Sequence, residues 1–434
     1  MNKVTHRAMS ALILAALLFV GLGIYVFRFA VHGGEWATFA ANDSLFTSGM
    51  LATGMLTDRY GTVLANADGT VHTYADDPFI RRAVFHATGD YAGHVGTGAI
   101  RAFSAKLAGY NPVTGTYAAD GRNVALSLDS QLCVTAQQAL ANRKGMVLLS
   151  NYKTGEILVM TSLPSCDPAA DGAEPEDGAY INRCINATFT PGSIFKLVTA
   201  AAAIENIRDL DSRTFTCSGS VDVAGVTVTC SGYHGTQTFE EAMANSCNCA
   251  FAEIALELGG RTLEKYVDRL GFTSTQKLDS ITTAKGSFTK DADGSPGLAW
   301  SGIGQFEDLI CPYSMLRLVS AIANGGTFRE PTILLDNRNG RTELLDRDTA
   351  DRLRDLMSYN VQSHYGTWNF PGLNVCAKTG TAEVGDGTSH AWFTGFLLDD
   401  AHPYAFVVLV ENGGGGLGVA GPIANLVLQE AVKR

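Results

Sequence analysis

The sequence has little positive charge, and the charge that it has is dispersed. Its 434 residues include 32 lysines and arginines against 43 aspartates and glutamates, which gives a formal net charge of -11 and a pI near 5.3. Proteins that hold nucleic acid present a basic patch or stripe to the phosphates. No such stripe occurs here, so we expect no nucleic acid among the partners of this protein.

Familiar metal and nucleotide motifs are also missing from the sequence. The nine cysteines form no C-x-x-C pair and accompany no H-x-x-x-H, so we expect no zinc site. The glycine run in ENGGGGLG lacks the lysine and the serine or threonine of a phosphate-binding loop, and it is more typical of a loop at a strand end. We therefore predict that the protein needs neither a metal nor another cofactor.

Long apolar runs are absent except for one near the N-terminus. Residues 8–27 are uncharged and almost all apolar, and twenty residues at a rise of about 1.5 Å each match the hydrocarbon thickness of a bilayer. A cleaved signal peptide is the alternative, but its apolar part is usually about 7–15 residues long. We predict an uncleaved transmembrane anchor over residues 8–30. Lys3 and Arg7 precede the run, so the positive-inside rule predicts a cytoplasmic tail of residues 1–7 and an extracytoplasmic remainder.

The cysteines of an extracytoplasmic protein tend to be oxidised, and an odd number of them leaves at least one unpaired. Cys217 and Cys230 flank the stretch SGSVDVAGVTVT, whose alternation is typical of a small hairpin. We predict a disulfide between these two residues. Cys166 and Cys184 are a second, less favoured candidate pair.

The composition of the sequence changes near Arg122. Residues 31–122 are rich in Gly, Thr, Asp and Ala, and Asp68-Gly69 is a hairpin signal between TVLANA and TVHTY. We predict a strand-rich stem, or pedestal, over this range. Helical and strand patterns then follow one another, and we predict that residues 123–434 form a single larger domain.

The pattern within this larger domain predicts an α+β fold. DSQLCVTAQQALANR is typical of a helix, and GMVLLS and EILVMTS are typical of two strands joined by a turn. SIFKLVTAAAAIENI, TFEEAMANSCNCAFAEIALELGG and CPYSMLRLVSAIANGG each indicate a helix, with a capping box at Thr238 and Glu241 and with Gly259 near the end of the second. Three strands, LNVCAKTGTA, AWFTGFLLD and YAFVVLVE, and a closing helix, IANLVLQEAVKR, follow. We therefore expect a five-stranded, mainly antiparallel sheet that is assembled from both ends of the domain and flanked by helices.

The stretch TPGSIFKLVTA places Ser193 and Lys196 three residues apart near the start of a predicted helix. Positions i and i+3 share a helix face, so the amine can reach the hydroxyl. A serine becomes a nucleophile when a base takes its proton, and a lysine can be that base when burial lowers its pKa. The other S-x-x-K match, Ser274 to Lys277, has no apolar period and no following helix, and we interpret its lysine as a surface charge.

Two further motifs offer a proton relay and donors for an oxyanion. Asn245-Ser246-Cys247-Asn248 places a hydroxyl and an amide on one turn. Lys378-Thr379-Gly380-Thr381 places a cation, a hydroxyl and a position without a side chain at the end of a predicted strand. Each motif is weak alone, because Ser358-Tyr359-Asn360 and Lys153-Thr154-Gly155 match the same patterns, and the latter is typical of a hairpin turn in water.

Together, the order S-x-x-K, S-x-N and K-T-G resembles the penicillin-binding protein and serine β-lactamase superfamily. Longer segments, among them INRCINATFTPGSIFKLVTA, SGIGQFEDLICPYSMLRLVSAIANGG and CAKTGTAEV, resemble a class B penicillin-binding protein over most of residues 123–434, and the predicted anchor and stem fit that class. The stem of the class carries an arginine-glycine and then an aspartate-arginine element. TGMLTDRYGTVLA keeps Asp58 and Arg59 but has Thr53 before Gly54.

The resemblance implies a D,D-transpeptidase that cross-links peptidoglycan. Ser193 would attack the carbonyl of the penultimate D-Ala of one stem peptide, release the terminal D-Ala and form an acyl-enzyme. An amine of a neighbouring peptide would then resolve this intermediate. Lys196 would be the base of the acylation step, and Ser246 would relay protons.

The resemblance also implies which residues would bind the substrate. Asn248 would contact the peptide amide, and Lys378 and Thr379 would bind the substrate carboxylate. Gly380 lets the substrate approach the strand, and the backbone N–H of Thr381 would complete an oxyanion hole with that of the nucleophile. β-Lactams would acylate the same serine as mimics of the D-Ala-D-Ala end.

The same resemblance implies partners and a location. The substrates would be peptidoglycan stem peptides on lipid-linked glycan strands. Because the sequence contains no glycosyltransferase domain, a polytopic glycan polymerase of the shape, elongation, division and sporulation family would be the partner. We expect a single-pass protein of the cell membrane whose catalytic domain is extracytoplasmic.

Other functions share parts of this pattern. A β-lactamase would use the same acylation, but we find no E-x-x-L-N element between the second and third motifs. A D,D-carboxypeptidase would pass the acyl group to water instead of an amine. A silent scaffold or a β-lactam sensor is the alternative from a different class, and the intact motifs argue against silence.

Overall fold

The computed structural model describes residues 2–37, 43–49, 51–111, 114–118, 121–170, 174–335, 337, 339–385 and 387–434. Parts of the predicted stem, residues 38–42, 50, 112–113 and 119–120, therefore lie outside the described residues.

The elements of this part of the chain are numbered in chain order. The helices are α1 (Asn2–Ala37), α2 (Asp43–Thr47), α3 (Pro78–Thr88), α4 (Ala99–Ala102), α5 (Ser104–Leu107), α6 (Ser130–Leu140), α7 (Lys196–Asn206), α8 (Phe239–Ala244), α9 (Asn248–Leu258), α10 (Gly260–Arg269), α11 (Pro296–Ser301), α12 (Pro312–Ala323), α13 (Arg347–Asn360) and α14 (Gly416–Ala431). The strands are β1 (Thr53–Thr57), β2 (Val63–Asp68), β3 (Val71–Tyr74), β4 (Asn123–Ala125), β5 (Gly145–Asn151), β6 (Ile157–Leu163), β7 (Thr214–Cys217), β8 (Ser220–Val223), β9 (Val226–Thr229), β10 (Gly235–Thr238), β11 (Lys277–Leu278), β12 (Ile281–Thr282), β13 (Thr327–Arg329), β14 (Arg341–Glu343), β15 (Val375–Glu383), β16 (Ser389–Leu397) and β17 (Tyr404–Val410).

Helix α1 carries the apolar run. Its stretch Lys3–Gly33 is long and apolar enough to cross a membrane, and its large apolar side chains, such as Leu12, Phe19 and Phe27, are exposed. An exposed apolar helix of this length is suited to the interior of a bilayer. The helix is consistent with single-pass anchoring over the predicted residues 8–30.

A four-stranded sheet in the order β3-β2-β1-β4 follows the first helices. Asp68 pairs with Val71 across a two-residue turn, which confirms the hairpin predicted at Asp68-Gly69. The strand β4 pairs in parallel with β1, so residues 123–125 extend the sheet built by earlier residues.

A buried carboxylate joins the turn after β1 to helix α6. Asp58 is 1% exposed, and its carboxylate accepts a hydrogen bond of 2.6 Å from the hydroxyl of Ser130. The neighbouring Arg59 donates to the carbonyl of Ser127 at 3.2 Å. These contacts are intact although Thr53 replaces the arginine that the resemblance leads one to expect.

The larger part of the chain is built on an antiparallel sheet in the order β15-β16-β17-β5-β6. It confirms the predicted five-stranded α+β fold whose strands come from both ends of the domain. Helices α6 and α14 pack against each other and against the sheet, and α12 packs on β16 and β17. Because β15 is the first strand in this order, it forms one edge of the sheet.

Two predicted helices differ from the structure at motif residues. The segment SIFKLVTAAAAIENI begins as a 3-10 turn, Gly192–Phe195, and becomes α-helical only at α7. The prediction of one helix over TFEEAMANSCNCAFAEIALELGG is wrong, because Ser246 has φ +52° and separates α8 from α9. The capping box at Thr238 and Glu241 and the end of α9 at Gly259 are confirmed.

Candidate active site

Ser193 lies on the 3-10 turn that leads into α7, against the edge strand β15. Gly192 has φ +54°, and a Cβ at this position would lie 2.6 Å from the carbonyl oxygen of Thr381. The backbone N–H of Gly192 donates to the carbonyl of Gly304 at 2.8 Å. The turn that carries Ser193 is therefore held between two backbone segments, and only glycine fits at its first residue.

The amine of Lys196 lies beside the hydroxyl of Ser193. The lysine is 0% exposed, and its Nζ is 3.2 Å from Ser193 Oγ and 2.7 Å from Asn248 Oδ1. It also donates to the carbonyl of Ser246 at 2.5 Å. Burial lowers the pKa of Lys196 to about 8, since a buried ammonium loses its hydration. An appreciable fraction of this amine is therefore neutral at moderate pH and can accept a proton.

A second buried lysine completes a chain of polar groups. Lys378 is 0% exposed, and its Nζ lies 2.9 Å from Ser246 Oγ, while the same hydroxyl lies 3.3 Å from Lys196 Nζ. Burial, and then the nearby Lys196, lower the pKa of Lys378 well below its ordinary value. The hydroxyl of Ser246 thus bridges two amines and could pass a proton between them.

The K-T-G motif lies on β15 where this strand meets the nucleophile turn. A Cβ on Gly380 would be 3.0 Å from Ile194 Cγ2 and 3.1 Å from the carbonyl oxygen of Pro191, so the absence of a side chain permits the contact. Thr379 is half-buried and Thr381 is exposed, which leaves both within reach of a ligand. The structure therefore brings together the predicted residues of all three motifs.

Side chains outside the motifs hold these segments in place. Trp392 Nε1 donates to the carbonyl of Thr190 at 3.0 Å, and Asn360 Nδ2 donates to the carbonyl of Ala377 at 3.0 Å. The hydroxyl of Tyr365 accepts from the backbone N–H of Thr379 and lies 3.2 Å from Thr379 Oγ1. No sequence pattern indicates these residues, because their partners are distant in the chain and are mostly backbone groups.

The lysines of the two alternative matches to S-x-x-K and K-T-G lie elsewhere. Lys277 is exposed and donates to the hydroxyl of Thr282 at 2.7 Å, which confirms it as a surface lysine. Lys153 is exposed in the turn between β5 and β6, as predicted. Neither Lys153 nor Lys277 belongs to the site.

The predicted disulfides are not formed. All nine cysteines lie among the described residues and are free thiols, so both the Cys217–Cys230 and the Cys166–Cys184 predictions are wrong. Cys184 points into the sheet, where its sulfur lies 3.6 Å from the carbonyl of Thr161. The hairpin of β8 and β9 between Cys217 and Cys230 does form, and the two sulfurs lie within 4.8 Å of each other without a bond between them.

Cysteines gather beside the S-x-N motif. The ligand atoms of Cys217, Cys230, His234 and Cys247 all lie within 4.8 Å of one another, so these residues could hold one metal ion. The pKa of Cys230 is lowered by its hydrogen bond with Cys247 and by backbone N–H groups that donate to its sulfur. The expectation of no zinc site overlooked this cluster, since it considered only ligands close together in sequence.

Comparison with known families agrees with the geometry. Residues 145–429 match the family model of the penicillin-binding protein transpeptidase domain. Stage V sporulation protein D of Bacillus subtilis is 30% identical over 350 residues, which are 72% of this chain and 54% of that protein. Peptidoglycan D,D-transpeptidase PbpA of Mycobacterium tuberculosis is 28% identical over 334 residues, 67% of each chain. The alignment thus spans about half of the first relative and two thirds of the second.

Solved structures share the fold. Penicillin-binding protein A of M. tuberculosis, in a ceftriaxone acyl-enzyme complex, superposes with a TM-score of 0.76 and 25% identity, covering 90% of this chain and 100% of that one. The D,D-transpeptidase domain of a peptidoglycan glycosyltransferase from Eggerthella lenta gives a TM-score of 0.73 and 25% identity, covering 88% and 98%. These likenesses confirm the predicted fold class.

Proposed function

Because this chain belongs to the family of penicillin-binding protein transpeptidases, and is a serine D,D-transpeptidase of class B, we propose that Ser193 is its nucleophile. Ser193 Oγ attacks the penultimate D-Ala carbonyl of a stem peptide, the terminal D-Ala leaves, and an amine of a second peptide takes the acyl group. The observation that carries this assignment is the fully buried Lys196 amine, 3.2 Å from Ser193 Oγ and with a pKa of about 8. β-Lactams acylate the same oxygen.

Protons move along the three groups that connect the motifs. Lys196 takes the proton of Ser193 as the new ester bond forms. Ser246, whose hydroxyl lies between the two amines, passes a proton to the departing nitrogen. The carboxylate of an arriving substrate favours the ammonium form of Lys378 and so opposes the effect of burial on the pKa of this lysine.

The substrate lies along β15 in this proposal. Lys378 and Thr379 bind its terminal carboxylate, and Gly380 allows its backbone to approach. The backbone N–H groups of Thr381 and of the nucleophile stabilise the oxyanion. Asn248 contacts the peptide amide. In the structure its Oδ1 accepts from Lys196 and its Nδ2 donates to the carbonyl of Thr229 at 2.8 Å. A hydrogen bond to the substrate therefore replaces one of these two bonds.

We further propose how the chain is placed in the cell. Residues 1–7 lie in the cytoplasm, residues 8–30 cross the membrane, and residues 31–122 form a stem that carries a catalytic domain of residues 123–434 outside the membrane. Lys3 and Arg7 support this orientation. A polytopic glycan polymerase supplies the lipid-linked strands whose peptides are joined.

A fluorescent penicillin tests the assignment of the nucleophile. Full-length protein should be labelled covalently, the labelled peptide should contain Ser193, and Ser193→Ala should not be labelled. Ser274→Ala, the serine of the second S-x-x-K match, is the matched control and should be labelled as well as the wild type. Labelling of Ser193→Ala would remove Ser193 from this role, and loss of the label within seconds would favour a β-lactamase.

Incubation with lipid-linked substrate and a glycan polymerase tests the reaction. Cross-linked muropeptide dimers are expected together with free D-Ala. Free D-Ala without dimers would favour the carboxypeptidase.

A further inference from the structure

Four ligand-forming side chains converge next to the S-x-N motif. Cys217 ends β7, Cys230 follows β9, His234 precedes β10, and Cys247 lies in the turn between α8 and α9. Cys217 and Cys247 are buried, and the other two are half-buried. The four residues come from separate segments, and none is required by the transpeptidase chemistry proposed above.

The distances suit a tetrahedral metal site. Cys230 Sγ lies 3.9 Å from Cys247 Sγ and 3.6 Å from His234 Nδ1. In a tetrahedral zinc site with bonds of about 2.3 Å to sulfur and about 2.0 Å to nitrogen, neighbouring ligand atoms are about 3.5–3.8 Å apart. The cluster therefore needs only small movements to close around one ion.

A hydrogen bond from the surrounding protein supports a thiolate in this cluster. The backbone N–H of Asn248 donates to Cys230 Sγ at 3.2 Å. Donors of this kind orient metal-bound sulfur and lower its negative charge. Three thiols with one imidazole are a ligand set typical of structural zinc.

We propose that Cys217, Cys230, His234 and Cys247 hold one Zn²⁺ ion in a closed tetrahedral site. Four protein ligands leave no open position for a water or a substrate, so the ion is structural. Its binding contributes directly to the folding of the segments that it joins.

The ion also positions catalytic groups, because Cys247 lies between Ser246 and Asn248. Ser246 has φ +52°, an unfavourable conformation for a residue with a side chain, and its carbonyl accepts from Lys196. A metal bond to Cys247 restrains this turn. It therefore keeps the hydroxyl of Ser246 and the side-chain amide of Asn248 in contact with the amine of Lys196. This positioning role rests on the proposed function, whereas the metal site itself does not.

Metal content and cobalt spectra test the site. Full-length protein, purified in detergent without an affinity tag, should contain about one zinc per chain when measured by inductively coupled plasma mass spectrometry. Cobalt exchanged into the site should show thiolate-to-metal charge-transfer absorption. Cys217→Ser and His234→Ala should lose most of the zinc and of the absorption.

Two control variants separate the site from other thiols. Cys249 Sγ lies 3.5 Å from Cys217 Sγ but is not among the four ligands, so Cys249→Ala should keep the zinc. Cys166→Ala, which removes a thiol outside the cluster, should keep it as well. Zinc bound equally by the wild type and Cys217→Ser would overturn the site, as would a metal-free wild type in which Cys230 is joined to Cys247 by a disulfide.

Chelation tests the positioning role without a variant that could fail to fold. Removal of zinc from the wild type should slow penicillin labelling by about tenfold or more, and added zinc should restore it. Unchanged labelling after complete removal would overturn the positioning role. A protein that binds zinc but is not labelled on Ser193 would instead contradict the proposed function, so the two failures are distinct.

A different observation, the contact of Tyr365 with the K-T-G motif, supports a second inference. Its side chain is buried and its ring lies edge-on against Phe393, with centroids 6.3 Å apart. Its hydroxyl accepts the backbone N–H of Thr379 at 3.2 Å and lies 3.2 Å from Thr379 Oγ1. Thr379 thus donates to this phenol oxygen from both its backbone N–H and its Oγ1, and the two bonds fix the rotamer of the threonine before a carboxylate binds.

We infer that Tyr365 is a positioning residue that holds the side chain of Thr379 at the place where the substrate carboxylate binds. This inference also rests on the proposed function. Tyr365→Phe keeps the buried ring and removes only the hydrogen bonds. The half-saturating concentration of penicillin for acylation should rise about fivefold, as expected for the loss of one hydrogen bond, while the maximal rate stays unchanged.

Matched variants make this test specific. Tyr313→Phe removes another buried hydroxyl, one that donates to the carbonyl of Lys277 at 3.0 Å, and should leave acylation unchanged. In a Thr379→Val background, Tyr365→Phe should have a smaller effect, because only the bond from the backbone N–H of residue 379 remains to be lost. An equal effect with and without the Thr379 hydroxyl, or a fall in the maximal rate alone, would overturn the inference.

Discussion

At the scale of single residues, the chemistry depends on an amine that is kept out of water. Lys196 is completely buried, and its pKa falls to about 8. Since only the neutral amine can take the proton of Ser193, the pH of the surroundings controls the population of active enzyme.

We expect the rate of acylation by penicillin to rise with pH and to reach half of its maximum near pH 8. The sign follows from the direction of the shift, because lowering the pKa of a lysine makes its neutral form available at lower pH. Stopped-flow labelling across a pH series measures this rate. A rate that is flat from about pH 6 to about pH 9 would contradict the role of Lys196 as base.

Replacement of the base by an arginine should abolish acylation. A guanidinium stays protonated at every pH at which the protein is folded, so Lys196→Arg cannot accept the proton of Ser193. Labelling by fluorescent penicillin should fall below detection. Lys277→Arg, at the exposed lysine of the second S-x-x-K match, is the control and should retain full labelling; retained labelling in Lys196→Arg would count against the mechanism.

At the scale of elements, the approach of the nucleophile turn to β15 depends on glycine. A side chain at Gly192 would meet the carbonyl oxygen of Thr381 at 2.6 Å and would have to adopt φ +54°. We expect Gly192→Ala to lower the free energy of unfolding by about 1–3 kcal/mol and to slow acylation strongly, because the turn must move away from the strand.

A second glycine serves as a control, because a side chain there would be strained in its backbone but would meet no close contact. Gly225 has φ +83° in the turn between β8 and β9, and no atom lies within 4 Å of the position that a Cβ would take. Gly225→Ala should cost stability through its backbone alone and leave the acylation rate unchanged. Thermal unfolding and labelling rates measure both effects, and equal activity losses in the two variants would show that strain, not the contact, matters.

Local sequence patterns predicted most helices and strands, but they did not predict the backbone conformation at the S-x-N motif or the residues that hold the motifs in place. Alternation and helical periodicity identify the five strands of the large sheet, and the capping box at Thr238 marks the start of α8. The break at Ser246 could not be predicted, because it is imposed by contacts with Lys196 across the fold. The three motifs were found from short spacings, whereas Tyr365 and the cysteine cluster depend on residues brought together only by tertiary structure.

At the scale of the whole molecule, the turn after β1 and the start of helix α6 share a buried polar joint. Asp58 accepts from the hydroxyl of Ser130 at 2.6 Å and from the backbone N–H of Thr62 at 2.8 Å. Because the carboxylate is buried, a neutral amide in its place leaves a donor without an acceptor.

We expect Asp58→Asn to lower the free energy of unfolding by about 1–3 kcal/mol. Asp76→Asn, at an exposed aspartate of the stem, should change it by less than about 0.5 kcal/mol. Calorimetry of the two variants makes the comparison. If both melt like the wild type, the joint contributes little to stability.

The order of strands in the large sheet has a consequence for how the protein is made. β5 is synthesised long before its neighbour β17, because most of the helices of the large domain lie between them in the chain. Until then, the growing chain carries an apolar strand with an open hydrogen-bonding edge, which invites wrong pairing. Because β15 reaches β5 only through β16 and β17, the strand that carries the K-T-G motif joins the rest of the sheet only after these two strands have paired.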